Sequence, residues 1–281
     1  MAKKISIVIV SYNGRAYLDL CLQSVAAALE HVAGGEVFVV DNDSTDDTLR
    51  VLPEKYPWVT FIRNDENVGF ARANNQAIRQ SVAEYVLLLN PDTVIEADTL
   101  SQALLFMDNH PQAGGAGVKM HNEDGTMAPE SRRAIPTPWV AALKMLGMTR
   151  RYYMSHLPWD QPCRIEVISG AFCLLRRKAL DRVGLLDEDF FMYGEDIDLS
   201  FRLLKGGWQN WYLPLDIVHY KGKSTRKSDY RYVHVFYQAM LIFFRKHYSH
   251  LSFLYALPVK TAIYFRAFIA LIDLVRKKLH L

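Results

Sequence analysis

Three short stretches of this chain set carboxylates and small polar side chains directly after apolar runs: Ser11-Tyr12-Asn13, Asp41-Asn42-Asp43 and Asn90-Pro91-Asp92. A fourth, Gly194-Glu195-Asp196, puts adjacent carboxylates behind a glycine, and His219 follows late in the chain. Carboxylates and small polar groups meeting at one crevice suit a nucleotide with a metal-bound diphosphate. Hard divalent ions take one or two carboxylates and complete their shell with phosphate oxygens. Each stretch also has a plainer reading. Asn-Pro-Asp is good turn chemistry, Asp41 and Asp43 can cap a helix, and acidic residues suit a first helical turn. A lone histidine can equally be structural.

Whether these residues meet depends on the elements that carry them. Ile5 to Val10 is β-branched apart from Ser6, and Tyr85 to Leu89 is an uninterrupted apolar run. Both read as strands buried on two faces. The second must end at Pro91, which has no N–H for a ladder. Val37 to Val40 and Val59 to Ile62 read as two further strands. Helices fit between them: one with Leu18, Cys21, Leu22, Val25 and Leu29 on its apolar face, then Asp47 to Leu52, Phe70 to Ser81, and about Ala97 to Asn109. This alternation predicts an α/β fold with a mainly parallel central sheet flanked by helices. Ligands of such sheets bind beyond the carboxyl ends of the strands, so the three polar stretches share one edge. There is no Gly-x-Gly-x-x-Gly after the first strand and no Gly-Lys-Ser/Thr loop. Dinucleotide cofactors and the ATPase phosphate loop are thereby disfavoured.

Four ordered motifs carry a more specific resemblance. They are Val10-Ser11-Tyr12-Asn13, then Val39-Val40-Asp41-Asn42-Asp43-Ser44-Thr45-Asp46, then Asn67-Val68-Gly69-Phe70-Ala71-Arg72-Ala73-Asn74-Asn75, then Leu88-Leu89-Asn90-Pro91-Asp92-Thr93. Together they resemble glycosyltransferase family 2, of the GT-A fold, and within it the bacterial rhamnosyltransferase-like members that build polysaccharide or O-antigen. The resemblance runs from about residue 4 to 225. It implies a metal-dependent, inverting transfer of a sugar from a nucleoside-diphosphate donor to a glycan or lipid-linked acceptor. The implied donor is dTDP-rhamnose, with a UDP-hexose as the alternative, and the implied metal is Mn²⁺ or Mg²⁺. It also implies that Asp41 pairs with the base near Ser11 and Tyr12, with Asn13 and Asn42 alongside. Asn67, Gly69 and Asn74 would line the nucleotide pocket. Asp92 would end the metal-binding Asp-x-Asp signature, although Asn90 stands where its first Asp belongs. Gly170 and Ala171 would pass beside the donor sugar, where glycine lets the backbone approach closely. Asp196 would be the general base, with Glu195 the second choice. His219 would complete the metal or diphosphate site, and Lys221, Lys223 and Arg226 would form a basic loop over the diphosphate.

The second half is less regular. Gly114 to Met120 reads as a strand entering a long stretch, His121 to Pro162, that carries Pro129, Pro136, Pro138, Pro158 and Pro162. Trp139 to Met148 reads as a short apolar helix, either a flap facing acceptor or membrane or a piece of core. Val167 to Phe172 is expected to return to the sheet, Leu174 to Arg177 to continue it, and Lys178 to Val183 to form a helix. An amphipathic helix after Gly194 would bury Leu199, Leu203 and Leu204, with Asp198 and Arg202 paired on its face. Trp208 to Leu213 reads as another strand.

Composition narrows the class. The chain has 281 residues, 50% hydrophobic and 22% charged, which supports a packed core and argues against disorder. A net charge of +3 gives no case for nucleic acid. Cys21, Cys163 and Cys173 are too scattered for a zinc or disulfide framework and point to a reducing compartment. The Met-Ala-Lys-Lys start leads into a strand too short and polar for a signal peptide. From Val233 the chain is densely apolar but interrupted by Arg245, Lys246, Lys260, Arg266 and Arg276-Lys277-Lys278. Pro258 divides this region into two amphipathic helices, which lie in a membrane interface or pack on the catalytic domain or on a homodimer partner. The expected division is a catalytic domain at 1–227, with a nucleotide half at 1–112 and an acceptor half at 113–227, and a helical segment at 228–281. The expected location is cytoplasmic, peripheral on the inner face of the cell membrane. Two other classes are weighed. A nucleotidyltransferase needs a Gly-rich basic loop that Ser11-Tyr12-Asn13-Gly14 lacks. A non-catalytic nucleotide-sugar or glycan-binding partner has no need of Asp196.

Overall fold

The computed structural model describes residues 3–220 and 230–249, and positions 261, 264, 265, 268, 269 and 272. Its first half alternates as the hydrophobic pattern predicts: β1 (Ile5–Ser11), α1 (Arg15–Leu29), β2 (Gly35–Asn42), α2 (Thr48–Lys55), β3 (Val59–Asn64), α3 (Phe70–Gln80) and β4 (Tyr85–Leu89). These strands pair in parallel in the order β3-β2-β1-β4. Every residue of β1 and β4 is buried. Pleating sends Ile5, Ile7 and Ile9 into one cluster with Leu18, Leu22 and Val25 of α1, and Val8 and Val10 into another with Ala73, Ala77 and Ile78 of α3. Each of these Ile, Leu and Val side chains contributes about 1.5–3 kcal/mol by burial.

The second half is mixed. It comprises β5 (Thr93–Ile95), α4 (Thr99–Asn109), β6 (Ala113–His121), a short 3₁₀ turn (Pro129–Ser131), α5 (Pro138–Met145), β7 (Cys163–Ile165), β8 (Phe172–Arg176), α6 (Arg177–Val183), α7 (Glu195–Lys205), β9 (Gln209–His219) and α8 (Tyr230–Tyr248). Beyond β4 the sheet runs β8-β6-β9-β5, with β7 on β9. Strand β8 is antiparallel to both β4 and β6, whereas β6 and β9 are parallel.

Several elements differ from the sequence expectation. Val167 to Ala171 does not enter the sheet as a strand; Val167 makes only an isolated bridge to Arg133, and the strand starts at Phe172. The Ile168 N–H donates instead to Ser200 Oγ at 3.0 Å. Strand β9 continues past Leu213 to His219, with a register irregularity against β6 between Leu213 and Asp216. Pro214 lies in that gap and has no N–H for the ladder. Strand β5 is too short for any periodicity to reveal. Pro258 lies outside the described residues.

Helix α8 is fastened to α7 by one buried carboxylate. Asp198 accepts from Arg202 Nε at 2.7 Å, Lys246 Nζ at 2.8 Å and His247 Nε2 at 2.7 Å. The expected Asp198–Arg202 pair is thus present, with the Lys246 ammonium and the His247 imidazole of α8 added. Around it Ala239 and Phe243 pack with Ile135, Val167 and Phe190. Burial by itself would raise the Asp198 pKa, but the charge of Arg202 and the bonds from Lys246, Arg202 and His247 outweigh it and hold the carboxyl below its usual range. Burial also lowers the His247 pKa, against the bond that it donates to Asp198. An imidazole whose folded pKa lies below 6.5 is protonated first in the unfolded chain, so stability falls as the pH drops through that value. Thermal melts across this range are expected to show the fall in the native chain and a smaller one in His247→Gln; equal slopes would contradict it.

Candidate active site

The parallel register carries the polar stretches to one edge. Ser11 ends β1 opposite Asp41 in β2. The loops after both strands need left-handed residues, Asn13 at φ 49° and Asp43 at φ 66°, which asparagine and aspartate tolerate best among non-glycines. Asn13 Oδ1 accepts from the Thr45 N–H at 2.7 Å and the Asp46 N–H at 3.2 Å, so this side chain clips the two loops together. Asp41 is fully buried. Its Oδ1 accepts the Ser44 N–H at 2.9 Å, while Oδ2 and the neighbouring Ser11 Oγ are buried with no protein partner. Such orphaned groups are costly unless a ligand satisfies them.

Asn42 and Asn67 shape the turn into α3. Asn42 Nδ2 donates to Gly69 O at 3.2 Å, and the Gly69 N–H donates to Asn67 Oδ1 at 3.1 Å. Gly69 adopts φ 86°, and a Cβ there would meet Phe191 O at 2.5 Å. The next residue seals the contact, its Phe70 N–H donating to Phe191 O at 2.7 Å. Asn74 donates to Phe70 O at 2.9 Å, leaving its own Oδ1 buried and without a partner. This turn therefore joins the first half of the chain to the loop ahead of Glu195.

At the end of β4 the Asn90 N–H donates to Ala171 O, 3.1 Å, and the Tyr220 N–H donates to Asp92 O, 2.9 Å. Strand β5 pairs Thr93 with His219. That pairing sets His219 Nε2 3.1 Å from Asp92 Oδ1 and 3.3 Å from Asn90 Nδ2. Asp92 is buried, and Nδ1 of His219 is buried without a partner. A cleft of about 440 Å³ opens beside His219 and is walled by Asn122, Glu123 and Asp124.

Asp196 stands in the first turn of α7. Tyr193 at φ 68° and Gly194 at φ 85° swing the chain into the helix there. Asp196 Oδ2 pairs with Arg133 Nη2 and accepts the Gly170 N–H at 3.3 Å. Oδ1 accepts the Ile197 N–H at 2.8 Å. Consecutive residues Gly170 and Ala171 thus touch Asp196 on one side and Asn90 on the other, which couples the two acidic sites. Glu195 is buried and its Oε2 has no partner. Burial, and then the charge of Asp196, push its pKa up to about 8.

Sequence reasoning misses Arg133. It is one of several arginines in a proline-rich stretch, and only the bridge to Val167 aims it at Asp196. In the folded chain the Asp196 charge outweighs burial and raises the Arg133 pKa further. Lys221, Lys223 and Arg226 lie outside the described residues. Among the described residues no group of three or more His, Cys, Asp or Glu could hold a metal alone.

Comparison with known proteins identifies the family and the fold. Residues 6–184 match the family described as Glycosyl transferase family 2. An N-acetylglucosaminyl-diphospho-decaprenol L-rhamnosyltransferase of Mycobacterium tuberculosis is 29% identical over 269 residues, 89% of this chain and 86% of the relative. The rhamnosyltransferase WbbL of Escherichia coli is 26% identical over 248 residues, 81% of this chain and 91% of the relative. The mannosyltransferase PcManGT of Pyrobaculum calidifontis, solved with GDP-Man and Mn²⁺, superposes with a TM-score of 0.59 at 19% identity, covering 99% of this chain and 80% of that one.

Glu195 makes stability depend on pH in a defined sense. Its folded pKa is raised, so its contribution is complete below 4.5 and is lost as the pH rises through about 8. Glu195→Gln, which mimics the protonated acid, is expected to gain stability over the native chain on going from about pH 5 to about pH 8.5. Urea unfolding at the two pH values measures this, and a constant difference would contradict it.

Proposed function

We propose a reaction for a chain that belongs to glycosyl transferase family 2 and is a glycosyltransferase of the GT-A fold: inverting transfer of a sugar, rhamnose from dTDP-rhamnose, onto a hydroxyl of a lipid-linked glycan. The observation that carries it is the run from Asp92 and His219 through Asn90, Ala171 and Gly170 to Asp196. One end has the donors to hold a diphosphate through a cation. The other has a fixed carboxylate to receive a proton.

In this reading the donor base lies against β1 and β2. The orphaned Asp41 Oδ2 accepts an N–H of the base and Ser11 Oγ bonds beside it, with Tyr12 as a flanking ring. Asn67, Gly69 and Asn74 wall the nucleotide. Gly170 and Ala171 lie along the sugar, with the Gly170 backbone beside Asp196. The acceptor hydroxyl sits at Asp196. Asp196 takes its proton as the oxygen bonds to the anomeric carbon from the face opposite the diphosphate. The bond from that carbon to the diphosphate oxygen breaks, and the nucleoside diphosphate departs with the electron pair. One base suffices, because no enzyme-bound sugar forms.

Asp92 and His219 fit a Mn²⁺ or Mg²⁺ ion by donor chemistry: a carboxylate oxygen and an imidazole nitrogen side by side at the edge of a cleft. When bound, such an ion neutralises charge on the departing diphosphate. Two protein donors are few, so phosphate oxygens would have to supply much of the remaining shell. Asn90, uncharged, orients His219 and the strand end.

Support for rhamnose comes from the two rhamnosyltransferase relatives, and for a lipid-linked acceptor from the diphospho-decaprenol in the name of one. A UDP-hexose donor is the competing reading. With such an acceptor the enzyme works at the cytoplasmic face of the membrane, and among the described residues no helix is long and apolar enough to cross it. Asp196→Asn keeps the size and the Gly170 contact but removes the base, so turnover is expected to fall by about a thousandfold or more while donor affinity stays within about threefold. Rate and calorimetric binding measured on one preparation decide it, and near-native turnover would remove Asp196 from the role.

A further inference from the structure

The exposed face of α5 is apolar, the reverse of what a surface helix of a soluble domain shows. Trp139 is 70% exposed and Leu146 75%, with Ala142 exposed between them. Their spacing of i, i+3 and i+7 sets the three on one stripe. Met148, 51% exposed, extends it just past the turn at Gly147. The helix is nonetheless anchored at its first turn. Thr137 Oγ1 caps it by accepting the Val140 N–H at 3.2 Å, and Val140 is buried beneath. Single exposed apolar residues need no explanation, but a rigid stripe of them marks a contact surface.

Charge identifies the occupant. From Thr137 to Trp159 the chain has no Asp or Glu but carries Lys144, Arg150 and Arg151, in a protein otherwise nearly balanced at 33 basic and 30 acidic residues. Lys144 lies over the Tyr152 ring, 3.5 Å from its centroid, Arg151 pairs with Glu166 at 2.5 Å, and Arg150 is exposed. An indole and aliphatic side chains among cations match the boundary between acyl chains and anionic headgroups.

We infer that α5 and the segment after it form a docking surface for an anionic lipid bilayer. Trp139, Leu146 and Met148 enter the acyl boundary, and the exposed Arg150, with Lys144 near it, lies at the phosphates. The consequence for the site is direct. Tyr152 O accepts the Ala134 N–H at 2.7 Å, and the adjoining Arg133 grips Asp196. Docking through this segment brings the base to the membrane surface, where a lipid-linked acceptor presents its hydroxyl. The inference extends the proposed lipid-linked acceptor but is tested without donor or acceptor, so the two can fail separately.

The test is co-sedimentation of the full-length chain with vesicles of phosphatidylcholine alone or mixed with phosphatidylglycerol. The native chain is expected to bind the anionic vesicles. The combined Trp139→Ser, Leu146→Ser and Met148→Ser variant is expected to bind about tenfold more weakly or worse, from the lost apolar area. Binding by that variant as tight as native would overturn the inference. As a second readout, brominated acyl chains should quench tryptophan fluorescence in the native chain, and less in Trp139→Phe; equal quenching would overturn it. So would sedimentation showing a native dimer that the triple variant dissociates while vesicle binding is unchanged, because the stripe would then be a self-interface.

Discussion

Parallel pairing forces β1, β2, β3 and β4 to finish at the same edge, and the arrangement of the first half of this molecule follows from that constraint. Ser11 lies level with Asp41 because β1 and β2 run side by side in one direction. Asn90 follows β4, which pairs in parallel on the other flank of β1. The polar ends of these strands need no long-range signal to find one another. They are delivered by strands whose own burial is driven by Ile, Val and Leu side chains on both faces. Proline at 91 then stops the ladder where a carboxylate is wanted.

The second half reaches the same edge by different means. Strand β8 enters antiparallel to β4, so the residues before it, Gly170 and Ala171, lie beside the end of β4. Strand β9 pairs with β5 and brings His219 level with Thr93. The contact of Gly69 with Phe191 holds the turn into α3 against the approach to α7. There two neighbouring carboxyls have different surroundings. Asp196 is held by Arg133 and the Gly170 N–H, whereas Glu195 has a buried oxygen with no donor and keeps its proton into the mildly alkaline range. Environment, not residue type, separates them.

The legible parts of the fold were those with strong local periodicity. β1, β2, β4, α1 and α3 fall within a few residues of where their apolar patterns end, and the Asp198–Arg202 pair follows from helical spacing alone. The illegible parts depend on distant partners. β5 and β7 are three residues each and exist because β9 passes beside them. Val167 to Ala171 has the composition of a strand, but Ser200 and Arg133 claim its backbone groups. Within the site, the polar strand ends could be read from the motifs, and the meeting of Asp92 with His219 was anticipated only through the family resemblance, since by residue type alone each had a plainer structural reading. Arg133 could not be found that way, because nothing local distinguishes it from its neighbour Arg132, whose guanidinium stacks on Trp159. Nor does an apolar helix announce from its sequence which face it leaves outside, as α5 does.

The central claim is that Asp92 and His219 together receive the cation that accompanies a nucleoside diphosphate. The direct measurement is anomalous diffraction at the manganese edge from crystals grown with Mn²⁺ and dTDP, set beside crystals of Asp92→Ala grown in the same way. The account predicts one strong peak within bonding distance of Asp92 and His219 Nε2, adjoining the diphosphate and missing in the variant. A peak bound elsewhere, or diphosphate density at this edge with no metal beside either residue, would contradict it.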